Sequence, residues 1–269
     1  MANEAEHRRW NDTDWARVWP KREALTDCVT APLMEALALR PGERVLDVGC
    51  GGGRLALAAA EAVGDAGTVT AVDISEPLLD LARQRAEAAG AANLTLLRAD
   101  AQTDRLGDGA FDVITSQFGV MFFDEPIAAF VNLGHHLRSR GRLVFACWQP
   151  VERNPWFAGR VLGPFVPAPA PAAEGKSATG PFTLADPALL RDILAAAGFV
   201  EVAVVPREVV SEAGAEATVE REGLRRMGVE PDDLEAAGAA VDDHVAQFRG
   251  ADGVYRYPLA FQLVSASRP

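Results

Sequence analysis

The stretch Val45-Leu46-Asp47-Val48-Gly49-Cys50-Gly51-Gly52-Gly53 decides the fold. Its first four residues are apolar but for one carboxylate, the composition of a buried strand. The next five hold four glycines. Glycine accepts a left-handed turn at no steric cost and lets a ligand approach the backbone, so Gly49 and Gly51 form a tight turn out of the strand. A helix follows from Arg54 to Ala62, and N–H groups at a helix start favour an anionic group. In this strand-to-helix context the turn signals a bound ligand; the competing reading is a purely structural turn.

Outward from this point, residues 44–148 alternate short apolar runs with helical stretches, the pattern of βαβ units around a mostly parallel sheet. Arg44 to Val48 is the first strand and Val69 to Asp73 the second. Ser75 caps a helix with Pro77 in its first turn and Gly90 as its stop. Strands follow at Leu94–Leu97, Phe111–Ser116 and Arg142–Trp148, with a helix from Pro126 to Leu137 before the last. Residues 166–181 (VPAPAPAAEGKSATGP) read as an extended surface segment. Asp186-Pro187 opens a helix with the stripe Leu190, Ile193, Leu194, Ala197, closed by Gly198. Phe199 to Val205 is a sixth strand, residues 207–250 are acidic and helical, and 257–266 is a last strand.

Carboxylates recur at strand ends. Asp73 lies 24 residues beyond Gly49 and suits two ribose hydroxyls, a feature common to several nucleoside-binding sites. Asp100-Ala101 closes the third strand, where the acid can accept from an adenine amino group; an Asp there is also a common turn residue. A dinucleotide fingerprint G-x-G-x-x-G is not met, because Arg54 stands where the third glycine belongs. Asp47 has no role in dinucleotide binding, but fits a carboxylate that must meet a ligand's ammonium group.

The 269 residues carry a formal net charge of −12, which repels phosphate backbones and disfavours a nucleic-acid partner. The first ten residues, MANEAEHRRW, lack the apolar core of a signal peptide, and no run approaches the roughly 20 apolar residues of a membrane span. A cytoplasmic protein is expected. Three cysteines without CxxC spacing suggest neither a disulfide framework nor a zinc site, and no metal is expected.

The segments VLDVGCGGG (45–53), AVDIS (71–75), RADAQ (98–102), FDVITSQFGVMFF (111–123) and GRLVFACW (141–148), in this order, resemble the class I S-adenosylmethionine-dependent methyltransferases. The stretch PFTLADPALLRDILAAAGFVEVAV (181–204) is similar to that family's late helix and sixth strand. The resemblance implies a Rossmann-like α/β fold: a seven-stranded, mostly parallel sheet with helices on both faces and an antiparallel last strand. Residues 1–40 are expected as a helical lid, and 41–269 as the main domain with cap insertions at about 151–181 and 207–252. It further implies S-adenosyl-L-methionine as cofactor and S-adenosyl-L-homocysteine as product. Asp47, Gly49 and Gly51, with Cys50 between the glycines, are expected at the methionine portion. Asp73 and Ile74 are expected at ribose and adenine, Asp100 and Ala101 beside the adenine, and Ser116 near the sulfonium.

Ligands of open α/β sheets bind beyond the carboxyl ends of the strands. That places Gln117, Phe118, Met121 and Trp148 as candidate substrate contacts. The apolar group Phe118, Met121, Phe122, Phe123 reads as a pocket wall or as core over the sheet edge. Trp10, Trp15 and Trp19 suit an aromatic face near a sulfonium, where cation–π attraction contributes ~0.5–2 kcal/mol, or tryptophans packed on the body. His136 is expected on the exposed side of its helix, opposite an Ile127–Phe130–Val131 stripe, and His135 beside that stripe. No residue is assigned as general base. The expected activity is methyl transfer to a small molecule by in-line displacement. The alternatives are a protein that binds the cofactor without methyl transfer (a scaffold or cyclase) and an NAD(P)-dependent oxidoreductase. The acceptor, its reacting atom and the oligomeric state are not written in these motifs.

Overall fold

The structure is a computed structural model that describes residues 4–11, 15–167, 179–214 and 221–269. Seven strands form one sheet: β1 (Arg44–Val48), β2 (Thr68–Asp73), β3 (Leu94–Arg98), β4 (Phe111–Gln117), β5 (Leu137–Trp148), β6 (Val200–Glu212) and β7 (Arg256–Ser267). Their order is β3-β2-β1-β4-β5-β7-β6. The first five run parallel, and β7 is antiparallel to both β5 and β6. The chain leaves β1 toward β2 on one side and returns to β4 on the other. Crossover helices diverge at that reversal, which opens a crevice beyond the carboxyl ends of β1 and β4.

The helices are α1 (Glu4–Asn11), α2 (Trp15–Leu37), α3 (Arg54–Val63), α4 (Glu76–Ala89), α5 (Pro126–His136), α6 (Gly159–Leu162), α7 (Pro187–Ala196), α8 (Arg221–Arg226) and α9 (Leu234–Ala246). Local sequence sets their ends. Ser75 Oγ accepts from Leu78 N at the start of α4, and Gly90 ends that helix in the left-handed conformation. Asp186 accepts from Ala188 N with Pro187 in the first position of α7.

The amino-terminal segment divides in two. Leu25, Val29, Leu33 and Leu37 repeat every four residues along α2 and are buried in the main core, each worth roughly 1.5–3 kcal/mol. Trp15 and Val18 instead form a small separate cluster with Leu78 of α4. The part from Leu25 onward therefore packs into the main core, and the part before it does not. Arg142 pins the far end of α2, donating two hydrogen bonds to the Glu43 carboxylate (2.7 and 2.8 Å) and two to the Leu37 carbonyl.

Three expectations need correction. Strand β6 runs on to Glu212, paired with β7 as far as Arg256, so residues 207–212 are strand and not helix. Strand β5 starts at Leu137, five residues early, with a register shift against β4 between Phe111 and Val113. His136 is fully buried, not exposed: its ring nitrogens meet the carbonyls of Gly107 and Asp104 at 3.2 and 3.1 Å. The buried face of α5 is Pro126, Ala129, Phe130, Leu133 and His136, while Ile127, Val131 and His135 face outward. Most of the proposed extended segment 166–181 lies outside the described residues.

Candidate active site

A cavity of about 330 Å³ opens at the carboxyl ends of β1, β2, β4 and β5, within the size range of small-ligand sites. Its lining includes Asp47, Gly49, Cys50 and Gly51, then Asp73 and Ile74, then Asp100 and Ala101. It also includes Gln117, Phe118, Met121, Trp148 and Trp19. Of the residues singled out in the sequence for the site, Ser116 and Trp15 stand apart, Trp15 packing with Val18 and Leu78. Ser116 is fully buried, and its Oγ accepts from Gly119 N (3.0 Å) and Val120 N (3.2 Å), so it ties the turn after β4. Gln117, Phe118 and Gly119 occupy the cavity wall at that strand end.

The glycine loop is shaped by contact. Gly49 and Gly51 have φ of 68° and 52°, where a side chain is strained. A Cβ at Gly49 would lie 2.8 Å from Gly119 Cα, and one at Gly51 would lie 2.7 Å from Trp19 Cζ2. The loop amides are already used: Gly49 N and Cys50 N donate to the Val72 carbonyl, and Gly51 N donates to Asp73 Oδ2 at 2.8 Å. These three amides thus give shape and close approach and are not themselves free donors for an anion.

The acids differ sharply in their surroundings. Asp47 is 1% exposed, and neither of its oxygens has a hydrogen-bond partner. Burial, with the Asp73 charge nearby, pushes its carboxyl up to about 8. Asp73 is also raised by burial, but hydrogen bonds from Ser75 N and Gly51 N oppose the shift. Asp100 is raised by burial and accepts from Gln102 N at 3.0 Å. Cys50 is buried and its thiol is pushed well above its ordinary value by burial and the two aspartates, so it is inert. The three cysteines form no disulfide. Among the described residues no cluster of three or more His, Cys, Asp or Glu is placed to hold a metal.

The first half of α2 is fastened over the loop. Glu23 is buried and accepts from Trp19 Nε1 (3.2 Å) and Arg85 Nη1 (3.1 Å), and Arg85 also donates to the Gly52 carbonyl at 2.8 Å. Arg54 pairs with Asp27 at 2.7 Å. In front of them α1 docks on the β2 end: Asn11 Nδ2 donates to the Ile74 carbonyl, and Ser75 Oγ donates to the Trp10 carbonyl. His7 Nε2 lies 3.9 Å from Asp100 Oδ2. Glu23 and Arg85 were not singled out from the sequence; a Glu four residues after a Trp has no distinctive pattern.

The other half of the cavity is aromatic. Phe118, at φ 62°, is a left-handed residue that is not glycine, and its ring stacks on Trp148 at 3.9 Å and 11°. Trp156 sits 5.1 Å from Trp148, and Phe157 follows it. Met121 is fully buried, with its Sδ accepting from Trp148 N. The run Phe118–Phe123 thus serves both expected roles, with Phe118 and Phe122 partly open and Met121 and Phe123 packed beneath. Trp156 and Phe157 come from the predicted cap segment, where the pair Trp-Phe was the available signal.

Residues 45–141 match the family described as "Methyltransferase domain". The chain is 33% identical to nocamycin O-methyltransferase of Saccharothrix syringae over 250 residues, covering 87% of this chain and 89% of that protein. It is 35% identical to aklanonic acid methyltransferase of Streptomyces sp. strain C5 over 126 residues, covering 47% of this chain and 54% of that protein. Among solved structures, a candidate methyltransferase of Bacillus halodurans superposes with a TM-score of 0.59 at 21% identity, covering 89% of this chain and 98% of that one. With the glycine loop and the seven-stranded sheet described above, these matches show that the chain belongs to the class I S-adenosylmethionine-dependent methyltransferases and is an enzyme that methylates a small molecule.

Proposed function

We propose that S-adenosyl-L-methionine lies along the ends of β1, β2 and β3 with its reactive end toward the aromatic half of the cavity, and that the acceptor atom is oxygen. The observation that carries the first part is Asp47. A buried carboxylate with both oxygens unpartnered is costly, and a cation received there relieves that cost. The methionine ammonium is such a cation. Asp73 keeps lone pairs beyond those used by Gly51 and Ser75, and these take the ribose hydroxyls. Asp100, Ala101 and Ile74 flank the adenine. Gly49 and Gly51 clear the space for the methionine chain, and Trp19 closes it from above.

When bound, the cofactor supplies an activated methyl group on a sulfonium. The chain's own work is then alignment and exclusion of water, which can supply much of the rate in such displacements. The fastening of α2 by Glu23 and Arg85 and the packed aromatic walls serve both ends. Methylation at oxygen is supported by the name of the relative that spans most of the chain, an O-methyltransferase. No described helix is long and apolar enough to cross a membrane.

Calorimetric titration with S-adenosylmethionine, S-adenosylhomocysteine and NADH tests the ligand, and a labelled-methyl assay on a panel of oxygen acceptors tests the transfer. Saturable binding of both adenosyl compounds, no binding of NADH and label on oxygen are expected. Binding of the nicotinamide alone, or label on nitrogen or carbon, refutes the corresponding part.

A further inference from the structure

Two neighbouring strands each bury a polar side chain that meets no hydrogen-bond partner among the described residues: Asp47 of β1, with both carboxylate oxygens, and Thr115 of β4, with its hydroxyl. The two residues are paired in register. Paired residues of parallel strands point to the same face of the sheet, and the strands lie ~4.8 Å apart. On its other side Asp47 is paired with Ala71 of β2, which brings no polar group. The next polar residues on this face are already engaged. Asp73 accepts from the amides of Gly51 and Ser75, and the Gln117 amide is bonded to Thr30 Oγ1 and the Thr26 carbonyl of α2. Among the described residues Thr115 is thus the donor beside Asp47 that nothing else uses. Folding alone does not ask for a hydroxyl here. A buried hydroxyl without a partner is disfavoured, and valine has the same shape without that penalty.

We infer that Thr115 is a positioning residue, whose hydroxyl donates to the Asp47 carboxylate in the ionised form that receives the cofactor's ammonium group. This rests on the role proposed for Asp47 and adds a second residue to it. A turn between staggered positions about one side-chain bond redirects the hydroxyl, and the strand spacing brings it within reach of the carboxylate. A donor to the charged form favours ionisation, against the burial and the Asp73 charge that oppose it. The other charged groups above this face are matched among themselves: Glu23 of α2 with Arg85 of α4, and Asp27 of α2 with Arg54 of α3. The adjacent Cys50 thiol is held protonated by burial and the two aspartates. None of these supplies Asp47 with a donor, and Thr115 does.

The test is calorimetric titration of the full chain with S-adenosylhomocysteine between pH 7 and pH 9. Thr115→Val keeps the shape and removes the hydroxyl, and Thr115→Ser keeps the hydroxyl. Loss of one hydrogen bond to a charged group lowers the ionised fraction of Asp47 roughly tenfold where that fraction is small, and less where it approaches one. Thr115→Val should therefore bind about tenfold more weakly than the parent at pH 7 but only about twofold more weakly at pH 9. Thr115→Ser should stay within about threefold of the parent at both pH values. Thr115→Ala should repeat the pH pattern, and it serves where the valine variant does not fold. In an Asp47→Asn background Thr115→Val should have no further effect. A loss of equal size at pH 7 and pH 9, an affinity unchanged by Thr115→Val, a serine variant as weak as the valine one, or a full effect in the Asp47→Asn background overturns the inference and leaves the ammonium contact standing. Asp47→Asn binding as tightly as the parent at pH 9 instead overturns the role proposed for Asp47, and the inference with it.

Discussion

The ammonium contact proposed for Asp47 makes cofactor affinity a function of pH. Its carboxyl is held neutral up to about 8 because burial and the neighbouring Asp73 oppose ionisation, yet an ammonium partner needs the ionised form. Only the ionised fraction is competent, so the apparent Kd is the intrinsic value divided by that fraction. The fraction is about 0.9 at pH 9, about 0.1 at pH 7 and about 0.01 at pH 6. Affinity for S-adenosylhomocysteine, which binds without reacting, should therefore weaken roughly 100-fold from pH 9 to pH 6. Calorimetry in two buffers of different ionisation enthalpy should show about one proton released per ligand near pH 6.5. Asp47→Asn should bind more weakly than the parent at pH 9 and lose the steep dependence. An affinity that is flat from pH 6 to pH 9, or no proton release, refutes the reasoning. The same shift has a stability consequence. The folded value lies above the unfolded one, so the contribution is full below pH 4 and lost as pH rises through about 8. The ligand-free Asp47→Asn protein should consequently melt several degrees higher than the parent at pH 8, since no carboxylate need be neutralised.

Further outcomes follow from the same geometry. Asp73→Ala should weaken S-adenosylmethionine binding at least tenfold and lower Tm, because the two proposed ribose bonds are lost and the N–H groups of Gly51 and Ser75 are orphaned at about 1–3 kcal/mol each; calorimetry and thermal melts read the two effects. Gly51→Ala should displace Trp19, whose ring lies 2.7 Å from the added carbon, and abolish cofactor binding with a change in tryptophan fluorescence. Arg142→Met should cost about 2 kcal/mol in denaturant unfolding, because it releases the Glu43 carboxylate and the Leu37 carbonyl. Arg142 holds the Glu43 carboxyl below its ordinary value, so that contribution is present above about pH 4.5 and disappears as the pH falls through the depressed value.

What was legible in the sequence had a short-range cause. The apolar run before Gly49, the cap at Ser75 and the Asp186-Pro187 opening each carry their meaning within a few residues, and each element stands where it was expected. The acids at strand ends were likewise readable, because the sheet brings the ends of parallel strands together. What failed depended on distant partners. His136 was read as exposed because its own helix seemed to offer a different stripe, yet it is buried by carbonyls 29 and 32 residues away. The sixth strand was expected to end at Val205, but β6 is the edge of the sheet, where the missing N–H of Pro206 need not break the pairing with β7. Ser116 is held away from the cavity by the amides of Gly119 and Val120, in a turn beyond Phe118, whose left-handed conformation no propensity reveals. The aromatic wall was half legible: Phe118, Met121 and Trp148 lie at strand ends, while Trp156 and Phe157 reach it from an irregular segment.

The most direct test of the site is a crystal structure of the chain with S-adenosylhomocysteine bound. The account predicts the ligand's amino group on the Asp47 carboxylate, its ribose hydroxyls on Asp73 and its sulfur facing the Phe118–Trp148 wall. A nucleoside seated elsewhere, or Asp47 left without a partner in the loaded protein, would contradict it.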